Sequence, residues 1–392
     1  MRRITSTTKL TTPITRLTTS RHLLFALSGN FFSNSRAVRQ INALANEGAN
    51  GLVIHCASPD TPTAYRGFRV VPLQITETSG PRLFAAFHRS FSRILSEVTA
   101  DVFHASDLYC LPAVTARAKH LRAPIVFDSR ELYHHVAATA NRPHARLFWH
   151  LVQRRFLPQA QLVLTVSDAI ADYLSKTYRI SRPVVIPNVP ESTSPSGVVN
   201  IREIAGLAPD AFVVLYVGNI RNGRGCDLLL EAASLCAPIS VILLGQDQTD
   251  GALPRLAQRL GIDERVRFLD PIPPSDVLNW AAGADLGVSL LENSCLNHDF
   301  ALPNKLFEYA TAGVPVIASR TSEVERIVRT YDIGTVCAYS PDELARTIEF
   351  ARVHPEILLT WKRNTASLVD DYNWPLISSR FISAYKSVCQ FG

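Results

Sequence analysis

Short apolar runs and longer amphipathic stretches alternate along this chain, and the whole alternation occurs twice. The apolar runs of the first half are Leu23–Leu27, Gly51–His55, Val102–His104, Ile125–Phe127 and Leu162–Val166. Those of the second half are Phe212–Val217, Ser240–Leu244, Val266–Phe268, Leu286–Leu290 and Val314–Ala318. Runs this short and this uniformly apolar are typical of strands buried on both faces. The pattern therefore predicts an α/β protein with two Rossmann-like domains, each a doubly wound parallel sheet.

The segments between the strands carry the helical periodicity that such a fold requires. The predicted helices include Arg36–Glu47, Pro81–Val98, Leu111–Leu121, Cys226–Cys236, Ala252–Leu260, Pro274–Ala281 and Lys305–Ala312. The stretch from Ile186 to Gly197 is rich in Pro and Ser, which favours a linker. We place the domain boundary there, with residues 21–190 before it and residues 191–375 after it. Because ligands of open α/β sheets bind beyond the carboxyl ends of the strands, two facing domains predict one cleft between them.

The composition limits the class of protein and the cellular compartment that we expect. Residues 1–20 contain Thr, Ser and basic residues but no acidic residue, which fits a targeting presequence or a disordered extension, and we favour the extension. No run approaches the roughly 18 apolar residues of a membrane span. The seven cysteines form no CxxC motif, so we expect free thiols in a reducing, cytoplasmic compartment and no structural metal site.

The charge of the chain is divided unequally between its two halves. Residues 1–190 hold 23 Lys and Arg against 10 Asp and Glu, whereas residues 191–392 hold 17 against 24. This excess predicts an anionic partner for the first domain, unless the arginines are merely solvated. The stretches Pro81–Leu95 and Arg142–Arg155 mix aromatic with basic residues and suit the surface of a membrane. Such helices also occur with their apolar side against a protein core, and both interpretations stay open.

Residues 302–319 (LPNKLFEYATAGVPVIAS) predict a short helix followed by a buried strand. We expect Asn304 to be the N-cap of this helix and Gly313 to end it. Lys305 and Glu308 are three residues apart, so they share one face. A cation in the first turn opposes the helix dipole, but it is well placed to meet a bound phosphate. The alternative is an exposed Lys–Glu pair on a solvated face.

A glycine-rich turn, residues 218–225 (GNIRNGRG), follows the first predicted strand of the second domain. Such turns let backbone N–H groups approach a phosphate closely. The hydroxyl residue that binds magnesium in a P-loop is missing, so an ATPase is not expected. Arg221 and Arg224 instead suit bidentate contacts to phosphate. We expect Arg224 and Lys305 to neutralise a diphosphate without a metal ion, while Glu308 accepts hydrogen bonds from a ribose.

These motifs resemble those of a known family, the GT-B glycosyltransferases of the large retaining group called family four, or glycosyl transferases group 1. The segments that carry the resemblance, in chain order, are residues 34–38, 101–107, 126–132, 164–167, 186–188, 218–232 and 303–319, followed by Tyr372-Asn-Trp-Pro. The resemblance covers about residues 21–390. It implies two Rossmann-like domains facing a central cleft, with a C-terminal helix (residues 376–392) crossing back to the first domain. It also gives Arg224 the role of diphosphate binder and Glu308 that of ribose holder.

The chain departs from the family pattern at two positions. Arg130 stands where many members have a histidine that contacts the transferred sugar. Phe300 stands where members often have a glutamate, eight residues before Glu308. Either Arg130 takes over a sugar or phosphate contact, or the sugar end of the site is altered.

The resemblance implies transfer of a sugar from a nucleoside-diphosphate sugar to an acceptor hydroxyl, with retention, in polysaccharide or glycolipid assembly. Preorganised cations and helix N-termini would stabilise the departing nucleoside diphosphate. The predicted site comprises Arg224, Lys305 and Arg130 for catalysis and Glu308, Asn304, Arg221, Gly29, Asn30 and Gly218 for substrate binding. No cofactor beyond the donor and no nucleic acid is expected. The acceptor would be anionic or lipid-linked, and the protein cytoplasmic with peripheral contact to the inner face of the membrane.

Three other functions remain open at this stage. The protein could bind a nucleotide sugar with altered or lost transferase activity, or it could be a sugar epimerase with the same cleft. A phosphorylase would require pyridoxal phosphate on a lysine, and the chain has six lysines. The sequence leaves the base, the sugar, the acceptor and the linkage undetermined.

Overall fold

The computed structural model of the protein describes residues 22–57, 60–75 and 80–389. The predicted extension at residues 1–20 lies outside these ranges. The described chain folds into two sheets covered by helices. None of the helices in these ranges is long and apolar enough to cross a membrane.

The strands fall into two groups along the chain. Those of the first sheet are β1 (His22–Leu27), β2 (Asn50–Cys56), β3 (Ala64–Tyr65), β4 (Phe68–Leu73), β5 (Val102–Ala105), β6 (Ile125–Ser129), β7 (Leu162–Thr165) and β8 (Val184–Val185). Those of the second sheet are β9 (Val213–Val217), β10 (Ser240–Leu244), β11 (Val266–Leu269), β12 (Leu286–Ser289), β13 (Val316–Ser319) and β14 (Gly334–Cys337).

Helices follow most of the strands. In the first half they are α1 (Ser35–Asn46), α2 (Gly80–Ser96), α3 (Leu111–Leu121), α4 (Ala137–Ala140), α5 (Pro143–Phe156) and α6 (Asp168–Tyr178). In the second half they are α7 (Ile201–Ile204), α8 (Cys226–Leu235), α9 (Ala252–Arg259), α10 (Val277–Ala281), α11 (Leu296–Asp299), α12 (Asn304–Thr311), α13 (Ser322–Tyr331), α14 (Pro341–Val353), α15 (Pro355–Asp371) and α16 (Trp374–Cys389).

Both sheets are doubly wound, as the alternation of the sequence predicts. The strand order is β3-β4-β2-β1-β5-β6-β7-β8 in the first sheet and β11-β10-β9-β12-β13-β14 in the second. Neighbouring strands run parallel except for β3 and β4. The chain reverses its direction of travel between β1 and β5 and again between β9 and β12. These two switch points are where such sheets bind ligands.

All ten predicted strands are present, with ends within two residues of the predicted ones. Central strands such as β1, β9 and β10 are buried along nearly their whole length, which explains their uniform apolar sequence. The sequence missed β3, β4, β8 and β14. The helix α10 begins at Val277 rather than at Pro274.

The C-terminal helix α16 returns to the first domain, as the resemblance implies. It packs on α1 and near β7. The Tyr385 hydroxyl is hydrogen-bonded to Nδ1 of the buried His104, and Lys386 forms an ion pair of 2.7 Å with Glu47. The start of the predicted linker is also fixed to this domain, since Ile186 is buried. The exact domain boundary stays a prediction.

Candidate functional site

The helix α12 begins directly after Pro303, beyond the strand β12. The prediction that Asn304 caps this helix is wrong. Pro303 holds the cap position with extended backbone angles (φ −66°, ψ 139°), and Asn304 is the first helical residue. The proline ring fixes φ and no side chain caps the first turn. Gly313, with φ +71°, follows the last helical turn as expected, in the left-handed conformation that glycine adopts without strain.

Lys305 lies in a desolvated position between α12 and the end of β9. Its Nζ is 3.3 Å from the centre of the Tyr216 ring. Its Cε would be 3.4 Å from a Cβ atom at Gly218, so a glycine there gives the lysine room. Burial lowers the pKa of Lys305 to about 7, and the nearby Arg224 lowers it too, against the opposite effects of Cys226 and Glu308. The ammonium form of Lys305 therefore has little compensating negative charge, and a bound anion would stabilise it.

Glu308 lies one turn further along α12, and the two side chains do not form the exposed ion pair that the sequence left open. The carboxylate of Glu308 makes no ion pair or hydrogen bond with the described residues. Burial raises the pKa of Glu308, while Lys305 and Arg39 lower it. Arg39 belongs to α1 of the first domain, so the two domains meet near this carboxylate. Its lone pairs remain available to hydroxyl donors of a ligand.

The glycine-rich turn connects β9 to α8 next to Lys305. Gly218, Gly223 and Gly225 all have positive φ angles, of +120°, +74° and +72°. A Cβ at Gly225 would lie 2.4 Å from the Cβ of Leu290, so the turn passes too close to β12 for any other residue. The local sequence thus explains the path of this loop, which carries both predicted arginines.

Arg224 and Arg221 differ in how they lie on this turn. Arg221 is exposed, whereas Arg224 is only partly exposed. Burial lowers the pKa of Arg224, and Arg221 lowers it further, against contributions from Tyr216 and Glu131. The guanidinium of Arg224 forms no hydrogen bond or ion pair with any described residue. The structure brings Arg224 and Lys305 within electrostatic range of each other, as the sequence predicts.

The first domain contributes the end of β6 to the same region. Arg36 of α1 binds Asp128 through two hydrogen bonds of 2.7 and 2.8 Å. Gln40 adds a third of 2.9 Å, so the fully buried Asp128 carboxylate is satisfied. Arg130 follows two residues later. The backbone N–H of Leu132 then donates a hydrogen bond of 2.7 Å to Asn297 of the second domain.

Gly29 and Asn30 form the turn that follows β1. Asp107, two residues beyond β5, accepts hydrogen bonds from the backbone N–H (2.6 Å) and the hydroxyl (2.8 Å) of Ser28. The side chain of Asn30 accepts from the backbone of Phe32 at 3.0 Å. Both Gly29 and Asn30 are exposed, and no hydrogen bond or ion pair among the described residues joins them to the second domain. Their predicted role at the diphosphate stays a prediction.

The segment that departs from the family pattern links the two domains. The carbonyl of Phe300 accepts a hydrogen bond of 2.6 Å from the hydroxyl of Ser167, and its ring lies 6.3 Å from that of Tyr173. The neighbouring Asp299 carboxylate accepts hydrogen bonds from Ser322 at 2.9 Å and from Asn293 at 3.1 Å. Asp299 is thus engaged by protein donors. The contact between Ser167 and Phe300 spans 133 positions, so no local pattern in the sequence predicts it.

Sequence reasoning also missed Arg36, Arg39, Asp107 and Tyr216. Arg36 lies in one of the segments that carry the family resemblance, and its spacing of three from Arg39 was the available signal.

Within the ranges that the structure describes, no group of three or more His, Cys, Asp or Glu side chains is arranged to hold a metal ion.

Two doubly wound α/β domains and a C-terminal helix that returns to the first define the GT-B class of fold. The chain is similar in fold to sucrose-phosphate synthase from Thermosynechococcus elongatus, with a TM-score of 0.77 and 19% identity over 95% of this chain and 100% of that one. It is similar also to Anabaena Alr3699/HepE in complex with UDP and glucose, with a TM-score of 0.72 and 19% identity over 94% and 100% of the two chains. The predicted fold is confirmed.

The family follows from two sequence profiles. The profile described as "Glycosyltransferase Family 4" matches residues 34–189, and the one described as "Glycosyl transferases group 1" matches residues 211–351. The chain therefore belongs to the group 1 glycosyltransferase family, as the motifs predict.

Curated relatives match over shorter stretches. The chain is 29% identical over 199 residues to D-inositol 3-phosphate glycosyltransferase 2 of Catenulispora acidiphila, a match of 47% of this chain and 45% of the relative. It is 25% identical over 266 residues to D-inositol 3-phosphate glycosyltransferase of Kribbella flavida, a match of 63% and 61%. The chain thus spans about half the length of the curated relatives it matches.

Proposed function

We propose that this protein transfers a sugar from a nucleoside-diphosphate sugar to an acceptor hydroxyl, with retention and without a metal ion, in polysaccharide or glycolipid assembly. One observation carries the proposal: Arg224 and Lys305, two cations without a protein counter-ion among the described residues, lie together beyond the carboxyl ends of β9 and β12. Glu308 adds an unpaired carboxylate one helical turn away. Two positive charges beside one acceptor group match a diphosphate linked to a ribose.

In the proposed reaction the bond between the sugar and the diphosphate breaks, and negative charge accumulates on the leaving phosphate. Arg224 and Lys305 would stabilise that charge, helped by the free N–H groups at the start of α12. Glu308 would accept hydrogen bonds from the ribose hydroxyls and so fix the donor. The leaving phosphate would take the proton of the acceptor hydroxyl on the same face of the sugar, so no separate protein base is required.

Two kinds of similar protein guide the choice of substrates to test. The Anabaena structure contains UDP and glucose, which makes UDP the first nucleotide to test. The curated relatives are named for an acceptor that carries a phosphate, D-inositol 3-phosphate, and this supports an anionic acceptor here.

The test is a thermal-shift titration with UDP, GDP and their sugars on four variants. Arg224→Ala and Lys305→Ala should each weaken diphosphate binding about tenfold or more, the worth of a hydrogen bond to a charged group. Glu308→Ala should weaken binding of nucleoside diphosphates but not of inorganic pyrophosphate. Arg154→Ala, on the exposed part of α5, is the control and should bind as the wild type. If the first three variants kept the wild-type shifts with every nucleotide, the site assignment would be wrong.

Turnover separates the transferase from the alternative of a protein that only binds. A labelled nucleotide sugar that binds well should be hydrolysed slowly even without an acceptor. Binding with neither transfer nor hydrolysis would favour a nucleotide-sugar sensor, which Phe300 and Arg130 make conceivable. Interconversion of the bound nucleotide sugar with its epimer would favour the epimerase.

We further propose that α5 holds the protein on a membrane rich in anionic lipids. Leu147, Phe148 and Leu151 are 58%, 44% and 51% exposed on this helix. Four exposed arginines, Arg142, Arg146, Arg154 and Arg155, flank them, and the helix contains no acidic residue. Apolar side chains surrounded by cations suit an anionic lipid surface.

The helix α2 has a different role, although its composition is similar. Phe87 and Phe91 are 4% and 0% exposed, so its aromatic side faces the core of the first domain. The ring of Phe84 lies 5.2 Å from that of Trp149, so α2 packs against α5 at this point. Of the two predicted amphipathic stretches, only α5 turns large apolar side chains to solvent.

Vesicle flotation tests this proposal. The protein should float with phosphatidylglycerol-containing vesicles at low salt and not with pure phosphatidylcholine. The double variant Phe148→Ser, Leu151→Ser should lose most of this binding. The matched control is Leu359→Ser on α15, since Leu359 is 60% exposed in the second domain. Equal, weak binding to neutral and anionic vesicles would refute the membrane contact.

A further inference from the structure

Arg130 is a cation that lies among acidic residues but forms no ion pair with any of them. It follows β6 directly and is only partly exposed. Its guanidinium makes no hydrogen bond or ion pair with any described residue. Burial lowers the pKa of Arg130, but Tyr133, Asp107 and other acidic neighbours raise it by more, so the group stays charged at every relevant pH. Its side-chain nitrogens are not among the buried atoms that lack a hydrogen-bond partner, so its N–H donors are open to the cleft.

The topology puts Arg130 next to the switch point of the first sheet, at the end of the strand that adjoins β5. β5 and β6 are neighbours in register, with Ala105 opposite Phe127, and β1 lies on the other side of β5. Arg130 therefore stands at the same edge as Asp107 and the turn after β1. Ligands of doubly wound sheets bind at this place.

Two buried acids near Arg130 already accept hydrogen bonds from other groups. The Asp128 carboxylate is held by Arg36 and Gln40. The Asp107 carboxylate accepts from Ser28 at 2.6 and 2.8 Å and from the backbone N–H of Cys110 at 3.1 Å. Both acids are at most 1% exposed, and their hydrogen bonds fix the ends of β5 and β6 next to Arg130. The chain next to Arg130 is thus fixed, while the donors of its guanidinium stay open.

Arg130 and the cations of the second domain have one acidic neighbour in common. Glu131 raises the pKa of Arg130 and also that of Arg224, so each of the two guanidiniums lies within electrostatic range of Glu131. The hydrogen bond of 2.7 Å between Leu132 and Asn297 ties this loop to the second domain. In the proposed function Arg224 and Lys305 serve the diphosphate. The N–H donors of Arg130 are then left for another part of the substrates.

We propose that Arg130 binds an anionic substituent, a carboxylate or a phosphate, on the sugar or acceptor that occupies the cleft next to the diphosphate. A guanidinium donates two parallel hydrogen bonds to either group. The inference rests on the proposed function and adds the substrate class: at least one of the two substrates carries a negative charge besides the diphosphate. An acidic donor sugar and a phosphorylated acceptor both fit this chemistry.

The test compares charged with neutral ligands in two arms, using calorimetry on the full-length protein. The donor arm sets UDP-glucuronate against UDP-glucose and GDP-mannuronate against GDP-mannose. The acceptor arm, at saturating UDP or GDP, sets inositol 3-phosphate against inositol and glucose 6-phosphate against glucose. The wild type should prefer the charged member of at least one pair by about tenfold or more. The arm in which this preference appears identifies the substrate that bears the charge.

Variants assign the preference to this residue. Arg130→Ala should abolish it, and Arg130→Lys should keep part of it, because an ammonium retains the charge but not the two-pronged geometry. Both variants should bind UDP or GDP as the wild type does. Arg69→Ala, on β4, is the matched control for an exposed arginine of the same domain and should retain the full preference.

The outcomes separate this inference from the proposed function. If UDP or GDP binds through Arg224 and Lys305 but no pair shows a preference for the charged member, the role of Arg130 is refuted and the nucleotide site stands. A preference that survives in Arg130→Ala refutes it as well. If no nucleotide binds at all, the proposed function fails, and this inference fails with it.

Discussion

The affinity for a nucleoside diphosphate should fall as the pH rises above 7, because Lys305 must be protonated to bind it. Burial lowers the pKa of Lys305 from 10.5 to about 7 in the empty cleft. A bound diphosphate favours the ammonium form and raises that pKa again. Above pH 7 the empty protein has lost the proton that the complex holds, so binding takes up a proton and weakens with increasing pH.

The magnitude follows from the protonated fraction of Lys305. With a pKa of about 7, roughly one half of the protein carries the ammonium at pH 7 and about 1% at pH 9. If the complex stays protonated, the affinity drops about 50-fold over this interval, or about 2.3 kcal/mol. This is an upper limit, since the side chain keeps some contact with solvent. The terminal phosphate titrates near pH 6 and is ionised throughout.

Calorimetry of UDP or GDP binding measures both quantities. Titrations at pH 7, 8 and 9 in two buffers of different ionisation enthalpy give the affinity and the number of protons taken up. The wild type should take up nearly one proton at pH 8. Lys305→Met should bind more weakly at pH 7 and take up none, whereas Arg224→Met should bind weakly but keep the pH dependence. An unchanged slope in Lys305→Met would refute the reasoning.

Three other predictions concern stability and the loop. Asp128→Asn leaves Arg36 buried with an incomplete partner and should lower the free energy of unfolding by about 3–5 kcal/mol in urea titrations. Burial lowers the pKa of His104 to about 3, below its unfolded value of 6.5, so this group costs stability as the pH falls below 6.5. His104→Phe should therefore reduce the stability lost between pH 7 and 5 by about 2 kcal/mol. Gly225→Ala should weaken nucleotide binding more than tenfold, because its Cβ would meet a side chain at 2.4 Å.

Each of these predictions has a control or a contradicting result. A cost of less than 1 kcal/mol for Asp128→Asn would mean that the pair with Arg36 is not desolvated. An unchanged difference in stability between pH 7 and 5 would rule out His104 as a contributor to acid sensitivity. Gly223→Ala has a similar φ of +74° but open space around its Cβ, so it should bind nucleotide much better than Gly225→Ala. Equal losses would show that the close approach is irrelevant.

The central strands could be predicted from the sequence because burial on both faces leaves a uniform apolar run. The missed strands lie at or near the sheet edges, where this signal fades. β3 and β8 have only two residues each, and neither contains a fully buried one. β4 carries the exposed Arg69, and β14 is buried only at its two ends. Strands that are only partly buried do not need a uniformly apolar sequence.

The candidate site also contains parts that the sequence predicted and parts that it did not. The helix α12 and the glycine-rich turn are local patterns, so the sequence identified them and their residues Lys305, Glu308 and Arg224. The predicted N-cap was wrong by one position, because Pro303 takes the extended cap conformation and Asn304 already lies in the helix. The ion pair of Arg36 with Asp128 joins residues 92 positions apart, and no local sequence pattern predicts it.

By itself, the sequence determined the repeated α/β plan and the family, and it predicted which residues face a phosphate, because periodicity, glycine turns and short motifs act over a few residues of chain. Only the tertiary structure decided that Lys305 is desolvated against Tyr216 instead of paired with Glu308 on a wet surface. It also decided that Arg130 and Arg224, far apart in the chain, share Glu131 as a neighbour across the cleft. Solvent exposure and long-range distances depend on how two domains pack, and that packing is set by hundreds of weak contacts at once.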